Sequence, residues 1–322
     1  MILLWRVGTA CNHACSFCAY DRRLDLARHS ADPAEVERVA LLAADVAAQR
    51  DERLLVSWLG GEPMLWPPLL GLSERLSQHP AIAISATSNG TRLTSPAVRA
   101  RILAGFAELT LSVDGPEAVH DGLRGVPGSF RKLQRAITAF AAERRAVGAS
   151  LKLRANVVVM RRTLPHFADL CRTLADWGVD EITFNQLGGR DRPEFFPAER
   201  LSPVDAADLT TLVEALQPEL AARSVNLCAS SRYLARIEAS SRGEALAVAD
   251  CRPGEDFLFV DELGRISPCS FTTAQHGVPV ADIRDTADLA ALPLRFRAAR
   301  AADPARECGD CPSTQFFGKF AA

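Results

Sequence analysis

The sequence lacks an excess of charge, a long apolar segment and an export signal. Its 37 Lys and Arg residues nearly balance 39 Asp and Glu, for a formal net charge of -2, which indicates no nucleic-acid or membrane partner. No apolar run reaches the length of a membrane-spanning helix. The first residues lack the basic start and cleavage site of a signal peptide. We therefore expect a soluble cytoplasmic protein whose nine cysteines are metal ligands or core residues, not disulfides.

Three of the cysteines lie close together near the amino end, at Cys11, Cys15 and Cys18. Three thiolates at this spacing can bind three irons of a 4Fe–4S cluster, which normally takes four cysteines. The iron without a cysteine keeps an open coordination position, which is typical of a metal that takes part in chemistry. A partial zinc knuckle or three core cysteines are the alternatives, although zinc sites usually present close pairs separated by a longer gap.

A second motif, Gly60-Gly61-Glu62-Pro63, follows the apolar run at residues 54–59. The run predicts a buried strand, so the motif would lie at the same end of a sheet as the cysteines, which also follow an apolar stretch. Glycines let a ligand approach the backbone closely, and the Glu62 carboxylate can bind a ligand ammonium. Taken alone, a Gly-Gly pair usually marks only a turn.

With both motifs in this order, the sequence resembles the radical S-adenosylmethionine (SAM) superfamily. The resemblance implies that Cys11, Cys15 and Cys18 bind a catalytic 4Fe–4S cluster whose open iron chelates S-adenosyl-L-methionine. It also implies reductive cleavage of that cofactor to methionine and a 5′-deoxyadenosyl radical, which abstracts a hydrogen atom from an unactivated C–H bond. An electron donor such as flavodoxin or ferredoxin is then an implied partner.

Strand-like runs alternate with helical patterns along the first two-thirds of the chain. The runs are residues 3–7, 54–58, 82–86, 109–113, 153–159 and 181–184. The alternation predicts a parallel sheet with right-handed crossovers, closed or nearly closed into a barrel. The resemblance makes this an α/β fold with a partial (β/α)6 TIM-type barrel, which we assign to residues 1–200. Residues 201–250 are predicted to form a bridging helical segment.

Polar residues follow several of these strands, at the end where barrel enzymes carry their chemistry. Asn89-Gly90 and Asp114-Gly115 by themselves are simple turn sequences. The resemblance implies a wider S-adenosylmethionine site, with Phe17, Gly60, Gly61, Glu62, Pro63, Asn89, Ser112, Asp114, Arg154 and Leu187. Arg124 belongs either near this site or to a structural ion pair, as surface arginines usually do. The charged stretch 188–192 is either a substrate-binding loop or a solvated one.

The last third of the chain contains four further cysteines with ligand-like spacing, Cys251, Cys269, Cys308 and Cys311. The first two bracket a predicted hairpin, and the last two form a C-x2-C pair. On spacing alone, a zinc ribbon competes with an iron–sulfur site. Beside a radical SAM core, the pattern resembles a SPASM/Twitch domain, here residues 251–322. Since no cysteine follows Cys311, the one-cluster Twitch form is favoured, with one auxiliary 4Fe–4S cluster.

Two cysteines remain outside these sets. Cys171 is predicted to be a core thiol. Cys228 is either a buried strand cysteine or, by resemblance to radical SAM epimerases, a hydrogen-atom donor to a substrate radical. The favoured function is oxidation or cross-linking of a natural product with help from the auxiliary cluster, and epimerisation through Cys228 is the alternative. A non-catalytic iron–sulfur or zinc scaffold protein is the alternative of another class.

The resemblance also bears on the substrate, which is expected to be a ribosomal peptide or a small sugar or amino-acid metabolite. Peptide-modifying members often carry a leader-recognition domain before the barrel, whereas here the first predicted strand begins at residue 3. This arrangement favours a small substrate or a separate recognition protein.

Overall fold

The computed structural model describes residues 1–320, and its central feature is a ten-stranded sheet. The strands are β1 (Ile2–Arg6), β2 (Leu54–Leu59), β3 (Ile82–Ser88), β4 (Glu108–Ser112), β5 (Lys152–Val159), β6 (Glu181–Gln186), β7 (Asn226–Leu227), β8 (Phe257–Val260), β9 (Arg265–Ser267) and β10 (Val278–Pro279). Their order across the sheet is β10-β9-β8-β1-β2-β3-β4-β5-β6-β7.

Helices fill most of the connections between strands. Within residues 1–320 they are α1 (Pro33–Gln49), α2 (Leu69–Leu76), α3 (Pro96–Gly105), α4 (Glu117–Arg124), α5 (Ser129–Val147), α6 (Phe167–Trp177), α7 (Phe196–Glu199), α8 (Pro203–Ala221), α9 (Ser231–Arg242), α10 (Thr273–His276), α11 (Thr286–Ala290), α12 (Leu292–Ala302) and α13 (Arg306–Gly309). Short 3-10 turns lie at Pro63–Leu65, Thr91–Thr94, Leu164–His166 and Val280–Asp282. None of the described helices combines the length and the apolar character needed to cross a membrane.

The strands β1 to β6 confirm the six parallel strands of the predicted partial barrel. Each pairs in parallel with the next, from β1 with β2 through β5 with β6. Helix starts follow local capping, as in α1, where the Asp32 carboxylate accepts the Ala34 N–H and Pro33 occupies the first turn. A parallel arrangement brings the carboxyl ends of all six strands to one edge of the sheet.

The two faces of the sheet differ in burial. In β2, Leu54, Val56 and Trp58 are buried among the helices, whereas Leu55, Ser57 and Leu59 are only half-buried. The strand β1 alternates in the same way. Because successive side chains point to opposite faces, one face packs on the helical layer and the other lines an open interior. This interior is called the chamber below.

The sheet continues past both ends of the predicted barrel. On one side, β7 pairs in parallel with β6, and on the other, β8 pairs in parallel with β1. The predicted hairpin is confirmed as the antiparallel pair β8 and β9, but its addition to β1 was not foreseen. The segments predicted as separate domains therefore share one sheet, and the last two positions of the range 251–322 lie outside the described residues.

Candidate functional site

The segment 7–30 after β1, called the cysteine loop, carries Cys11, Cys15 and Cys18 at the carboxyl end of the sheet. The Cys11 Sγ accepts the N–H of His13 at 3.4 Å, and the Cys18 Sγ accepts the N–H of Tyr20 at 3.4 Å. Cys15 is buried, and the other two are half-buried. Backbone donors aimed at two of the sulfurs favour their thiolate form, which is the form that binds metals.

Gly60 and Gly61 hold this loop against the second strand. A Cβ on Gly60 would lie 2.6 Å from the Gly8 oxygen, and one on Gly61 would lie 2.5 Å from the Ala10 oxygen. The N–H of Gly61 donates to the Gly8 oxygen at 2.9 Å, and the N–H of Glu62 donates to the Ala10 oxygen at 2.8 Å. The glycines were expected to admit a ligand to the backbone. Here the close approach is made by the cysteine loop itself.

A third glycine holds the loop from its other side, at the end of α4. Gly125 has a φ of +62°, and a Cβ there would lie 2.7 Å from the Ala14 oxygen. The N–H of Ala14 donates to the Arg124 oxygen at 2.9 Å, and the N–H of Ser16 donates to the Leu123 oxygen at 3.1 Å. Backbone contacts from two directions therefore fix the path of the segment that carries the three cysteines.

Glu62 connects the second and third strand ends. Its carboxylate is 3% exposed and accepts three hydrogen bonds, from the Met64 N–H at 3.0 Å, the Ser88 hydroxyl at 2.7 Å and the Asn89 N–H at 2.7 Å. Burial raises its pKa, and these hydrogen bonds oppose the rise. Donors of the chain thus surround this carboxylate, and its role as partner of a ligand ammonium stays a prediction. Pro63 begins the buried turn that follows.

Asn89 extends the same network to the cysteine loop. Its side-chain Nδ2 donates to Asn12 Oδ1 at 2.8 Å, and its Oδ1 accepts the N–H of Thr91 at 3.0 Å. The Thr91 hydroxyl lies 3.2 Å from Nε2 of His13. The third strand end therefore supports the loop between Cys11 and Cys15.

Arg124 and Asp114 form a buried ion pair beside Cys15. Arg124 is 7% exposed and Asp114 is 0% exposed. The Arg124 Nε donates to Asp114 Oδ2 at 2.7 Å, while Asp114 Oδ1 accepts the Val158 N–H at 2.8 Å. The Arg124 Nη1 lies 3.8 Å from the Cys15 Sγ. Arg124 therefore belongs to a structural ion pair, as the alternative expectation had it, although the pair is buried and not at the surface. A contact of Asp114 with S-adenosylmethionine stays a prediction.

The pKa values of the three thiols in the cysteine loop depend on burial, which raises them, and on the charge of Arg124, which lowers them. Burial raises the pKa of Cys11 and of Cys15, and raises that of Cys18 to about 12. The charge of Arg124 acts in the opposite direction on all three thiols. For Arg124 itself, burial lowers the pKa, but the charge and hydrogen bond of Asp114, together with the charges of Cys15 and Cys18, hold the pKa above its usual value. Metal binding would then release protons from the thiols.

Phe17 and Leu187 come together in a small apolar cluster. They pack with Leu123 and Met160, and Val158 lies against the same group. The guanidinium of Arg124 lies 5.4 Å from the centre of the Phe17 ring, within the range of a cation–π contact. The resemblance implied that Phe17 and Leu187 lie beside the same cofactor. The fold brings the two side chains together although one follows β1 and the other follows β6.

Ser112 lies at the carboxyl end of β4, half-buried beside its register partner Asn156 on the chamber face. Arg154 points to a different part of that face. Its guanidinium pairs with Glu181 at 2.6 Å and with Glu108 at 3.1 Å. These glutamates are the first residues of β6 and β4, so Arg154 lies at the amino ends of the strands. These ion pairs hold its guanidinium at that end, and a contact of Arg154 with S-adenosylmethionine stays a prediction.

Cys228 follows β7 and is 1% exposed. The Asn226 Nδ2 donates to its Sγ at 3.3 Å. Burial raises the pKa of this thiol to about 11, with a further rise from Glu181 and an opposing effect from Arg154 and Lys319. The thiol thus keeps its proton at neutral pH and lies within reach of charged groups of the chamber. Cys171, in contrast, is fully buried in the core cluster, which confirms the prediction of a core thiol.

The four C-terminal cysteines line one cavity of about 340 Å³, called the C-terminal cavity below. Cys251 is exposed, and Cys269, Cys308 and Cys311 are half-buried. Arg300 donates to the Cys251 Sγ at 3.3 Å. Burial raises the pKa of Cys251 and the charge of Arg300 opposes that rise. Three separate stretches of chain supply these four thiols, which matches the ligand number of a closed iron–sulfur site.

A single metal ion and a metal cluster place different demands on the ligands. Within residues 1–320, no group of three or more His, Cys, Asp or Glu side chains has the arrangement needed to hold one ion. A cluster of several metal atoms is larger than an ion, and a cavity lined by four thiols provides both the donors and the space for it. The residues present therefore fit a polynuclear group.

The charged stretch 188–192 connects two parts of the molecule. Arg192 donates to Asp21 of the cysteine loop at 3.2 Å, and the Arg190 guanidinium lies 4.7 Å from the centre of the Phe271 ring at the C-terminal cavity. Burial alone would raise the pKa of Asp21, but hydrogen bonds from Arg23 and Arg192 lower it to about 2. The stretch is largely exposed but is tied to the cysteine loop through Arg192, and a role in substrate binding stays a prediction.

Sequence reasoning missed several residues of this region. It did not single out Met160, which completes the apolar cluster, or Lys319, which meets Asn156 and Asn185 in the chamber. The alternation of β5 and β6 offered a signal for the two asparagines alone, since it places them on the side away from the helices.

Comparison with known proteins agrees with this geometry. Residues 5–151 match the family model of the Radical SAM superfamily. The AdoMet-dependent heme synthase of Oleidesulfovibrio alaskensis is 24% identical over 88% of this chain and 72% of its own length. Mycofactocin maturase MftC of Mycobacterium tuberculosis is 24% identical over 85% of this chain and 65% of its own length.

Among solved structures, SuiB of Streptococcus suis bound to S-adenosylmethionine superposes with a TM-score of 0.69 at 18% identity. The match covers 100% of this chain and 72% of SuiB. At this identity the likeness concerns the fold, and it confirms the α/β architecture with a partial barrel. The cysteine triplet, the glycine contacts that hold it and the matched family model coincide in one stretch, so residues 5–151 form a radical SAM domain.

Proposed function

We propose that the chain is a radical SAM enzyme in which Cys11, Cys15 and Cys18 bind the catalytic 4Fe–4S cluster and the carboxyl ends of β1 to β6 bind S-adenosyl-L-methionine. The observation that carries this proposal is the cysteine loop, held on both sides by backbone contacts that only glycine permits. When bound, the two cofactors supply one-electron cleavage of the sulfonium and a radical that removes a hydrogen atom from the substrate.

The residues around the loop have distinct tasks in this proposal. Arg124 keeps a permanent positive charge 3.8 Å from the Cys15 Sγ, because a guanidinium stays protonated in proteins. Asp114 fixes that guanidinium in place. Phe17 and Leu187, in their shared apolar cluster, would exclude water from the bound cofactor. Ser112 and Asn89 offer polar groups at the neighbouring strand ends.

We further infer a peptide substrate. SuiB has been solved bound to its precursor peptide SuiA, and MftC carries the name of a maturase. In this chain, Asn156 and Asn185 carry side-chain amides on the chamber side of β5 and β6 and are half-buried, and amide groups can pair with the N–H and C=O of a peptide. The name of the heme synthase relative keeps a small-molecule substrate as the alternative.

The C-terminal cavity is proposed to bind one auxiliary 4Fe–4S cluster through Cys251, Cys269, Cys308 and Cys311, as in a Twitch-type domain. Four thiols around one cavity leave no position open for a substrate. A closed cluster of that kind would accept an electron from the substrate radical, which makes oxidation or cross-linking the favoured outcome. A flavodoxin or ferredoxin is the proposed electron donor, and a separate recognition protein is a possible further partner.

Anaerobic reconstitution with iron and sulfide, S-adenosylmethionine and dithionite tests the proposal by formation of 5′-deoxyadenosine. We expect Cys15→Ala to abolish this product because the loop then lacks one of three ligands. Cys171→Ala is the matched control, since it removes an equally buried thiol outside both ligand sets, and it should retain the activity. Undiminished 5′-deoxyadenosine from Cys15→Ala would refute the catalytic site, and its absence from the wild-type protein would favour the scaffold alternative.

Epimerisation is the second candidate, and the state of Cys228 favours it. A hydrogen-atom donor must carry its S–H at working pH, and the pKa of Cys228 near 11 meets that requirement. In deuterated water, donation by Cys228 should place one deuterium on the product carbon, and this label should vanish in Cys228→Ala. A product two hydrogens lighter that is unaffected by Cys228→Ala would eliminate epimerisation in favour of oxidation.

A further inference from the structure

Lys319 brings an ammonium into the chamber from the end of the chain. It is 6% exposed, and its Nζ donates to Asn156 Oδ1 at 2.8 Å and to Asn185 Oδ1 at 2.8 Å. Gly318, with a φ of +79°, makes the turn that directs this side chain inward. An ammonium has three hydrogens, and these two amide oxygens account for two of them.

The segment before Lys319 is anchored independently of its ammonium. The Ser230 hydroxyl at the start of α9 donates to the Phe317 oxygen at 2.9 Å, and the N–H of Lys319 donates to the Thr314 oxygen at 3.0 Å. The guanidinium of Arg232 lies 4.1 Å from the centre of the Phe316 ring. The buried ammonium is therefore not needed to fasten the segment.

The charged side chains around Lys319 include one more cation than anion. Nearby, Arg154 and Lys152 pair with Glu108 and Glu181. No carboxylate of the described residues lies within ion-pair distance of Lys319, whose partners are neutral amides. Burying an ammonium without a counter-charge is costly, so this end of the chamber is complementary to an anion.

The acid–base state of Lys319 agrees with that geometry. Burial and then the charge of Arg154 lower its pKa to about 7, and the thiol of Cys228 opposes this slightly. A bound anion would stabilise the protonated form, so binding and proton uptake would be linked. Asn156 and Asn185 are half-buried, so the chamber side of the site is open to a ligand.

We propose that Lys319, held by Asn156 and Asn185, binds a carboxylate of the substrate and thereby sets which end of the substrate lies deepest in the chamber. This rests on the proposed function, because it assumes that the substrate occupies the chamber. Asn156 is the register partner of Ser112, so the anchored carboxylate would lie one strand from the predicted cofactor site. A charge-assisted hydrogen bond in a buried site discriminates strongly between a carboxylate and a neutral amide.

The test uses two small probes, N-acetylglycine and its uncharged amide, binding to the full-length reconstituted protein by calorimetry. We expect wild type to prefer the carboxylate by at least about tenfold, and Lys319→Gln, which can still bond the two asparagines, to lose that preference. Lys319→Arg should keep part of it. Lys132→Gln is the matched control, because Lys132 is exposed on α5, and it should behave as wild type.

The pH dependence of carboxylate binding gives a second test, which needs no variant. Since the ammonium is present below its pKa, carboxylate affinity should be highest below about pH 7 and fall as the pH rises to about 9, while amide binding stays constant. A preference that survives in folded Lys319→Gln, or that is absent or independent of pH in wild type, would overturn the proposal. Because neither readout involves 5′-deoxyadenosine, such a failure leaves the proposed function untouched.

Discussion

The two groups of cysteines are held in place by different means. The cysteine loop is a single continuous segment whose backbone is in contact with Gly60, Gly61 and Gly125, and a buried arginine lies against Cys15. The C-terminal cavity draws its thiols from three stretches of chain, is open to solvent at Cys251 and has Gly309 where no neighbouring atom crowds a Cβ. Backbone contacts fix the first site closely, whereas side chains and loops define the second.

This difference fits the tasks proposed for the two sites. A site that must leave one metal position open for a cofactor needs its ligands arranged beforehand, since binding energy spent on ordering is lost to catalysis. A site with four thiols can be organised by the metal itself. We therefore expect changes near the cysteine loop to have larger effects than equivalent changes at the C-terminal cavity.

The largest expected effect is loss of one cluster with survival of the other. With both sites filled by four-iron clusters, the protein should contain about eight irons per chain. Cys269→Ala should reduce this to about four and keep 5′-deoxyadenosine formation, whereas Cys15→Ala should lose the same number of irons and the activity. Iron and zinc analysis of anaerobic protein measures this. Zinc retained at the C-terminal cavity, or about twelve irons, would contradict the two-cluster assignment.

The buried ion pair should give the next largest effect. Asp114→Asn leaves the Arg124 charge buried without its counter-charge, so we expect a loss of about 3–5 kcal/mol in the free energy of unfolding. Arg300→Gln, at the Cys251 Sγ, removes a half-buried charge and should cost within about 1 kcal/mol. Urea denaturation of the two variants measures both. Equal losses would mean that the C-terminal cavity depends on its arginine as strongly as the cysteine loop does.

The glycine contacts provide a matched pair of backbone substitutions. Gly61→Ala forces a methyl group to within 2.5 Å of the Ala10 oxygen, and the overpacking should cost about 1–3 kcal/mol and reduce iron bound at the cysteine loop. Gly309→Ala, between Cys308 and Cys311, meets nothing within 4 Å and should change neither stability nor iron content. A Gly61→Ala protein with full iron content would show that the close backbone approach is dispensable.

The smallest effects are expected where the stretch 188–192 touches each site. Arg192→Ala removes a contact with Asp21 of the cysteine loop, and Arg190→Ala removes the contact with Phe271. Each should cost less than about 1 kcal/mol, because Asp21 keeps Arg23 as its partner when Arg192 is lost and Arg190 is exposed. Thermal unfolding of both variants checks this. A loss well above that limit in either variant would reveal that the stretch holds its site in place.

Much of the barrel and both cysteine sets could be predicted from sequence. The strands could be predicted because each is a short apolar run followed by a helical pattern. The core position of Cys171 could be predicted because the residue lies on an amphipathic helix. The roles of individual polar residues were harder to predict. Asp114 and Arg154 both follow sequence patterns of a cofactor site, but one pairs with Arg124 and the other with Glu108 and Glu181.

The sequence by itself determined the features that depend on local spacing, which are β1 to β6, the cysteine triplet and the hairpin of β8 and β9. Only the tertiary structure decided that Gly61 admits the chain's own loop, that Arg124 is buried beside Cys15, that β8 extends the sheet at β1 and that Lys319 enters the chamber. Each of these joins residues far apart in the chain, and contact between distant segments depends on how the whole sheet and its helices pack. Local periodicity carries no information about that packing.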